Sequence, residues 1–362
     1  MPTKKQHYVP QLLLRRFANQ VKQEWRTNVY DISRKQYRSN QNIKDVCAEN
    51  YTYDKDNTFE RFLDEHIETP VGADLDSILR SPSGASVIPS DAMLRFLVVQ
   101  LARTKQAYEG SMEFMNQFMG TVFETFAQLN DHDAEAAKKI RFSPGEPRTV
   151  LAYMAAYAAA NYRLLSDLTV AIVKNDTSYP FVLSDHPVFQ HNWYLRDCNE
   201  PLSAAITVRG LQLFLPLSPR IVYCLYDPNV YVYRSSSRRV EVQASVDDVR
   251  LLNSFQAINA DSFLVTPADN MSAALIALVQ RFADVEAFTS RGAATPPVEV
   301  EDGKLKSLHY ARREQVRLRG MPSFVKVKNK VRRRPLVCVH RSPDIVSAHE
   351  LADERRARVN AP

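Results

Sequence analysis

A chain of 362 residues that is 45% hydrophobic and 24% charged has enough apolar surface to offset the entropy of ordering, which excludes intrinsic disorder for most of it. Its length suits one large core with an appendage, and nine glycines against twenty prolines, with no GxGxxG or GxxxxGKS/T run, argue against glycine-cradled nucleotide folds. The net charge of +6 is uneven: Lys304 to Arg334 holds twelve Lys or Arg against one acid, Glu314, a net +11 that leaves −5 for everything else.

The opening QHYVPQLLLRRFANQ reads as a helix start, with Pro10 in the first turn and Leu13, Leu14 and Phe17 facing a core. EWRTNVYDI and KQYRSN, rich in aromatic and β-branched residues around the turn SR, predict a hairpin. Phe59, Phe62, Leu63 and Ile67 have helical spacing between Asn57 and Leu79, and a second helix capped by Ser90 or Asp91 is expected to run to Gly110. Helices through GSMEFMNQFMGTVFETFAQLN and residues 148–166 follow, with Met93, Met112, Met115 and Met119 expected to fill core gaps. The apolar run Val150–Ala160 stops at Asn161 and Arg163, far short of the roughly 18 residues of a membrane span.

The pattern then changes. LTVAIVKN, YPFVLSD, LQLFLPLS, IVYCLYD, VYVYR and RVEVQ predict strands, followed by a helix at VDDVRLLNSFQAINA and the short strand SFLV. A helix at NMSAALIALVQRFADVEAF and a linker at SRGAATPPVEVEDG precede the basic segment. The expected class is α+β: a mainly helical N-terminal half packed with an antiparallel or mixed sheet formed largely by residues 168–265, plus a basic C-terminal extension. The expected divisions are a core over 1–267, a helix and linker over 268–303 and a flexible tail over 304–362. Cys47, Cys198, Cys224 and Cys338 form no CxxC pair and read as free thiols, and with no leader-like start the expected location is cytoplasmic.

The candidate site begins at His7 and Gln11, ahead of and inside the first predicted helix, where free N–H groups favour anions and an imidazole can serve as acid, base or ligand. Capping or packing is the structural alternative for the same histidine. The run KKQHYVPQLLLRRFA resembles the opening of a largely bacterial family, domain of unknown function 4238. ENYTYDKDN with Glu60, Leu63, Ile67 and Glu68 follows in the family's order, then FLVVQLARTKQAYEG, FVLSDHPV, FLPLSPR and VRLLNSFQAINADSFLV. His186 stands where the family's Ser-Asp-Asn-Pro turn has Asn. The resemblance spans about residues 4–265; it implies a shared fold and brings no activity.

Among the matched polar residues, Glu60 and Glu68 sit eight apart on one predicted helix, about 80° apart around its axis, so both can border one cleft. Arg103 from a second helix and Asp185 at a strand end complete a set suited to metal-assisted phosphodiester hydrolysis, the carboxylates and an imidazole holding a divalent ion whose identity the sequence leaves open, Mg²⁺ and Mn²⁺ being candidates. Equally, Glu60 and Arg103 can form a structural ion pair, Asp185 can cap its own turn, and Asn253 is open to both readings. His186 and His191 beside Asp185 are a weaker metal candidate. The basic segment, with Arg313, Arg317, Arg319, Arg332 and Arg333 and with Tyr310 and Phe324 able to stack on bases, fits salt-sensitive RNA or DNA binding or a solvated terminus. The expectation is a nucleic-acid-directed hydrolase; a non-enzymatic ligand- or nucleic-acid-binding module is the alternative.

Overall fold

The computed structural model describes residues 5–198, 203–234, 240–267, 271–296, 298–300 and 304–341. The first fifty residues carry β1 (Lys5–His7), the single turn α1 (Gln11–Leu14), β2 (Asn19–Val21), β3 (Glu24–Asp31), β4 (Gln36–Asn42) and β5 (Ala48–Asn50). Strands β3 and β4 form the expected hairpin around Ser33 and Arg34. Leu13, Leu14 and Phe17 are fully buried, but α1 is one turn long and carries only the two leucines, Phe17 falling in the 3-10 turn Arg15–Phe17, and His7 lies in a strand paired with β5. The N-terminal half is therefore not mainly helical throughout: helices dominate only from Thr58 onward.

Helices α2 (Thr58–Leu63) and α3 (Thr69–Arg80) are joined through a wide π turn, Asp64–Glu68. Pro70, in the first turn of α3, has no N–H to give the His66 carbonyl, and the wide turn absorbs the missing bond. Helix α4 (Asp91–Ala102) is capped by Ser90 and stops at Ala102, because Thr104 turns extended and caps α5 (Lys105–Leu129) by accepting from the Ala107 N–H at 3.3 Å. The helix expected to reach Gly110 is thus two helices with Arg103 at their junction. Met93 is buried, whereas Met115 is exposed. Helices α6 (Ala134–Lys138) and α7 (Pro147–Ala160) complete this region.

The strands β6 (Thr169–Lys174), β7 (Leu183–Ser184), β8 (Phe189–His191), β9 (Gln212–Ser218), β10 (Ile221–Tyr226), β11 (Tyr231–Tyr233), β12 (Glu241–Gln243) and β13 (Phe263–Thr266) follow, with α8 (Val246–Asn259) before the last. One sheet runs β12-β6-β10-β9-β8, antiparallel except for the parallel β12–β6 pair. Its runs VAIV, LFLPL and IVYCL are buried at every position, as expected of strands covered on both faces. The second sheet orders β2-β3-β13-β7, with β4 also on β3, so the N-terminal hairpin completes a sheet that residues 168–265 alone do not make.

Helix α9 (Ser272–Arg281) stops short of the expected end at Phe288, and beyond it the segments expected as linker and tail contain β14 (Phe288–Ala294, starting just ahead of the linker), β15 (Val298–Val300), β16 (Lys304–Lys306), β17 (His309–Gln315), β18 (Val325–Val327) and the turn α10 (Asn329–Arg332). Strands β14 and β17 pair from Phe288↔Gln315 to Ala294↔His309 and pack on α5, while β18 pairs with β11 of the core. Arg341 is buried, with its guanidinium on the Asp167 carboxylate and the Leu164, Ile206 and Val208 carbonyls. Residues 304–341 are therefore not a flexible tail: their alternating apolar positions and Arg341 find partners in the core. The rest of that segment, 342–362, lies outside the described residues.

The seat of this C-terminal hairpin depends on Gly292, where a Cβ would stand 2.1 Å from the Gln117 carbonyl oxygen. Gly292→Ala is expected to push the hairpin off α5 and lower stability by about 1–3 kcal/mol, measured by urea unfolding. An unchanged midpoint would contradict this packing.

Candidate functional site

Five of the predicted residues converge: His7, Gln11, Glu60, Glu68 and Arg103. Arg103 is fully buried at the α4–α5 junction; its Nε donates to the Tyr8 carbonyl at 3.0 Å and its Nη1 to Glu68 Oε1 at 2.8 Å. Gln100, one turn earlier, donates to the same carbonyl at 2.8 Å, and the Tyr53 hydroxyl donates to the Arg103 carbonyl at 3.2 Å. These bonds hold the His-Tyr-Val-Pro segment against the end of α4. In front of them opens a cavity of about 510 Å³ lined by His7, Gln11, Arg15, Glu60, Asp64 and Glu68, among others. Arg103 stands behind its wall.

The π turn between α2 and α3 brings Glu60 and Glu68 to one cavity although it breaks the regular period between them. Glu60 Oε2 is buried with no hydrogen-bond partner. Burial pushes the Glu60 carboxyl up to about 7, helped by the negative charges of Glu68 and Asp54 and opposed by Arg103. His7 moves the other way: burial holds it down to about 4, and Arg103 and Lys5 add to the effect. Its Nε2 lies 3.3 Å from the Ile43 carbonyl; a carbonyl only accepts, so Nε2 carries the proton and Nδ1 keeps a free lone pair. The cavity therefore pairs a neutral imidazole with a carboxyl that changes charge near neutrality.

Gln6, Asp54 and Asn57 were not foreseen. Gln6 is fully buried; its Oε1 accepts from the Tyr53 N–H at 2.9 Å, and its Nε2 donates to Asp54 Oδ1 at 2.8 Å and Asn57 Oδ1 at 3.1 Å. Asp54 in turn accepts from the Asn57 and Phe59 N–H groups at the start of α2, and Asn57 adopts a left-handed φ of 62°, which asparagine tolerates. This clamp fixes the helix that carries Glu60. Its sequence signal was the turn-rich DKDN.

Asp185 and Asn253 are elsewhere. The Asp185 carboxylate accepts the N–H groups of Asp261, Ser262 and Phe263 at 2.9, 2.6 and 3.2 Å, a turn-binding role rather than a catalytic one, even though burial pushes its pKa up to about 7. Asn253 accepts from the Val182 N–H and donates to the Pro180 carbonyl. Gln256 and Asn259, three and six residues on, bind Ser184, Pro187 and Val188 in the same way. His191 is fully buried among Phe189, Trp193 and Phe255 with neither ring nitrogen hydrogen-bonded, and His186 is bonded to Thr104, so this pair makes no metal site. Among the described residues no three His, Cys, Asp or Glu side chains are grouped to hold a metal ion.

Arg317, Arg319, Arg332 and Arg333 are exposed on the C-terminal segment and line neither this cavity nor the larger one beside α5. Arg313 lines that larger cavity instead. Phe324 is buried in the core, which removes it as a base-stacking platform. No helix among the described residues is long and apolar enough to cross a membrane.

Fold and site together define an α+β protein that folds its N-terminal strand over a buried arginine and closes a polar, carboxylate-lined cavity in front of it. The chain belongs to the family described as Protein of unknown function (DUF4238), whose model matches residues 5–269. No curated protein and no solved structure matches it.

Removing the buried guanidinium strands the Glu68 carboxylate. Arg103→Met is expected to cost about 3–5 kcal/mol of folding stability, and Arg103→Lys to recover only part of it, since a single ammonium cannot span Tyr8 and Glu68. Urea unfolding followed by circular dichroism checks this; a loss below about 1 kcal/mol would show that the pair does not hold the cavity.

Proposed function

We propose that the polar cavity is a hydrolytic site for nucleic-acid phosphodiesters, with Glu60 as general base. The observation that carries the reading is the unpartnered, buried Glu60 oxygen on the cavity wall, on a carboxyl that titrates near 7, where a base is most effective at neutral pH. Glu60 would take a proton from the attacking water or hydroxyl. Arg15 and Arg61, which also line the cavity, would neutralise the phosphate, and His7 would offer its Nδ1 lone pair as a hydrogen-bond acceptor to the nucleophile. Arg103 acts as a positioning residue through Glu68 and Tyr8. The exposed arginines 317, 319, 332 and 333 would add sequence-independent attraction to the substrate backbone.

The proposed step uses only the chain's own side chains: among the described residues the carboxylates and His7 are not grouped as three ligands for a metal ion. A non-catalytic role for the same cavity is favoured by one observation: Glu68 is already ion-paired with Arg103 at 2.8 Å, as in a purely structural pair.

The test is cleavage of labelled single- and double-stranded RNA and DNA in the presence of chelator, across pH 5–9. The expected result is chelator-resistant cleavage that rises as Glu60 ionises through pH 7, and that falls at least about 100-fold in folded Glu60→Gln. Absence of cleavage of all four substrates, with binding retained, would replace the hydrolase with the binding module.

A further inference from the structure

A second cavity, of about 710 Å³, lies between α4, α5, α7, the end of α8 and the C-terminal hairpin, and it shares no lining residue with the hydrolytic one. Its walls are largely apolar, with Met154, Val188, Ile206 and Ile258 among them. Into it comes Arg313 from β17. The guanidinium stacks 4.5 Å over the Phe288 ring, its Nε is buried without a hydrogen-bond partner, and no carboxylate among the described residues lies within ion-pair distance of it. Two of the cavity's carboxylates are engaged elsewhere: Glu109 with Lys105 at 3.6 Å, and Glu113 accepting from Gln117 at 2.6 Å. Glu286 is the third.

Two more polar groups are fixed in place. Asn161 donates its Nδ2 to the Tyr157 carbonyl at 2.9 Å, which pins its Oδ1 as an acceptor, and that oxygen is buried without a partner. The Thr104 hydroxyl, which accepts from the Ala107 N–H, is also hydrogen-bonded to His186 Nδ1, and this fixes the ring at the cavity wall. A cation without a counter-ion, a fixed imidazole, a pinned acceptor and apolar walls in one drug-sized concavity are the parts of a small-molecule site.

We propose that this cavity binds a small amphipathic organic anion, its acid group on Arg313, its apolar or aromatic body against α7 and α8, and an N–H or O–H donor on Asn161 Oδ1. The site exists only because the C-terminal hairpin docks on α5, so the ligand bridges residues of the family-matched region and residues beyond it. Binding would therefore stabilise the docked hairpin by mass action. This reading is independent of the hydrolytic one.

The test titrates the full chain with anilinonaphthalene sulfonate, which combines an aromatic body, one anionic group and an N–H donor. Its neutral analogue N-phenylnaphthylamine is run beside it. Expected are one saturable site, a roughly tenfold weaker sulfonate affinity in Arg313→Gln with the neutral dye unchanged, and loss of both dyes in Ala158→Trp, which fills the cavity from α7. The second variant keeps the test decisive should the arginine variant fail to fold. Unsaturable sulfonate binding, sulfonate affinity untouched by both substitutions, or equal weakening of both dyes in folded Arg313→Gln would overturn the proposal.

Discussion

A guanidinium with no solvent exposure must find acceptors inside the protein, since leaving it unanswered costs several kcal/mol. Arg103 finds them on two separate pieces of chain, the Tyr8 carbonyl and the Glu68 carboxylate, and offers its own carbonyl to Tyr53. That single requirement draws β1, the tyrosine loop, the π turn and the α4–α5 junction to one point. It also sets the electrostatics: the cation helps keep His7 neutral and tempers, without reversing, the rise that burial imposes on Glu60. The cavity's chemistry and the N-terminal architecture thus share one cause.

A second constraint holds the other side of the molecule. Residues Pro180–Val188 contain only a two-residue strand, so most of their backbone groups lack a ladder partner and must be met by side chains. Asn253, Gln256 and Asn259 on one stripe of α8 meet them, and Asp185 closes the turn before β13. Buried amides at helical spacing on α8 act here as a replacement for sheet hydrogen bonds. The same bracing positions His186 at the wall of the larger cavity.

Much of this was legible in the chain. The run LTVAIVKN, the β3–β4 hairpin, the Ser90 cap and the buried Leu13, Leu14 and Phe17 follow from period and turn chemistry, and the grouping of His7, Gln11, Glu60 and Glu68 from spacing and resemblance. What was not legible depends on distant partners. The π turn requires knowing that Pro70 falls inside a continuing helix. Asp185 and Asn253 bind backbone from segments about 75 and 70 residues away, which sequence spacing cannot show. SRGAA has no apolar alternation and reads as linker, yet with Phe288 and Thr289 it becomes a strand because His309–Gln315 pairs with it and Gly292 lets it close on α5.

The central claim is that the polar cavity holds a carboxyl poised near neutrality in front of a buried cation. Titrating carboxyl chemical shifts of ¹³C-glutamate-labelled protein, with Glu60 assigned by Glu60→Gln, measures it directly. The account predicts a midpoint at about 7 for Glu60. A midpoint near the ordinary glutamate value of about 4.3 would mean that water reaches the group freely, and the cavity would lose its claim to acid–base chemistry.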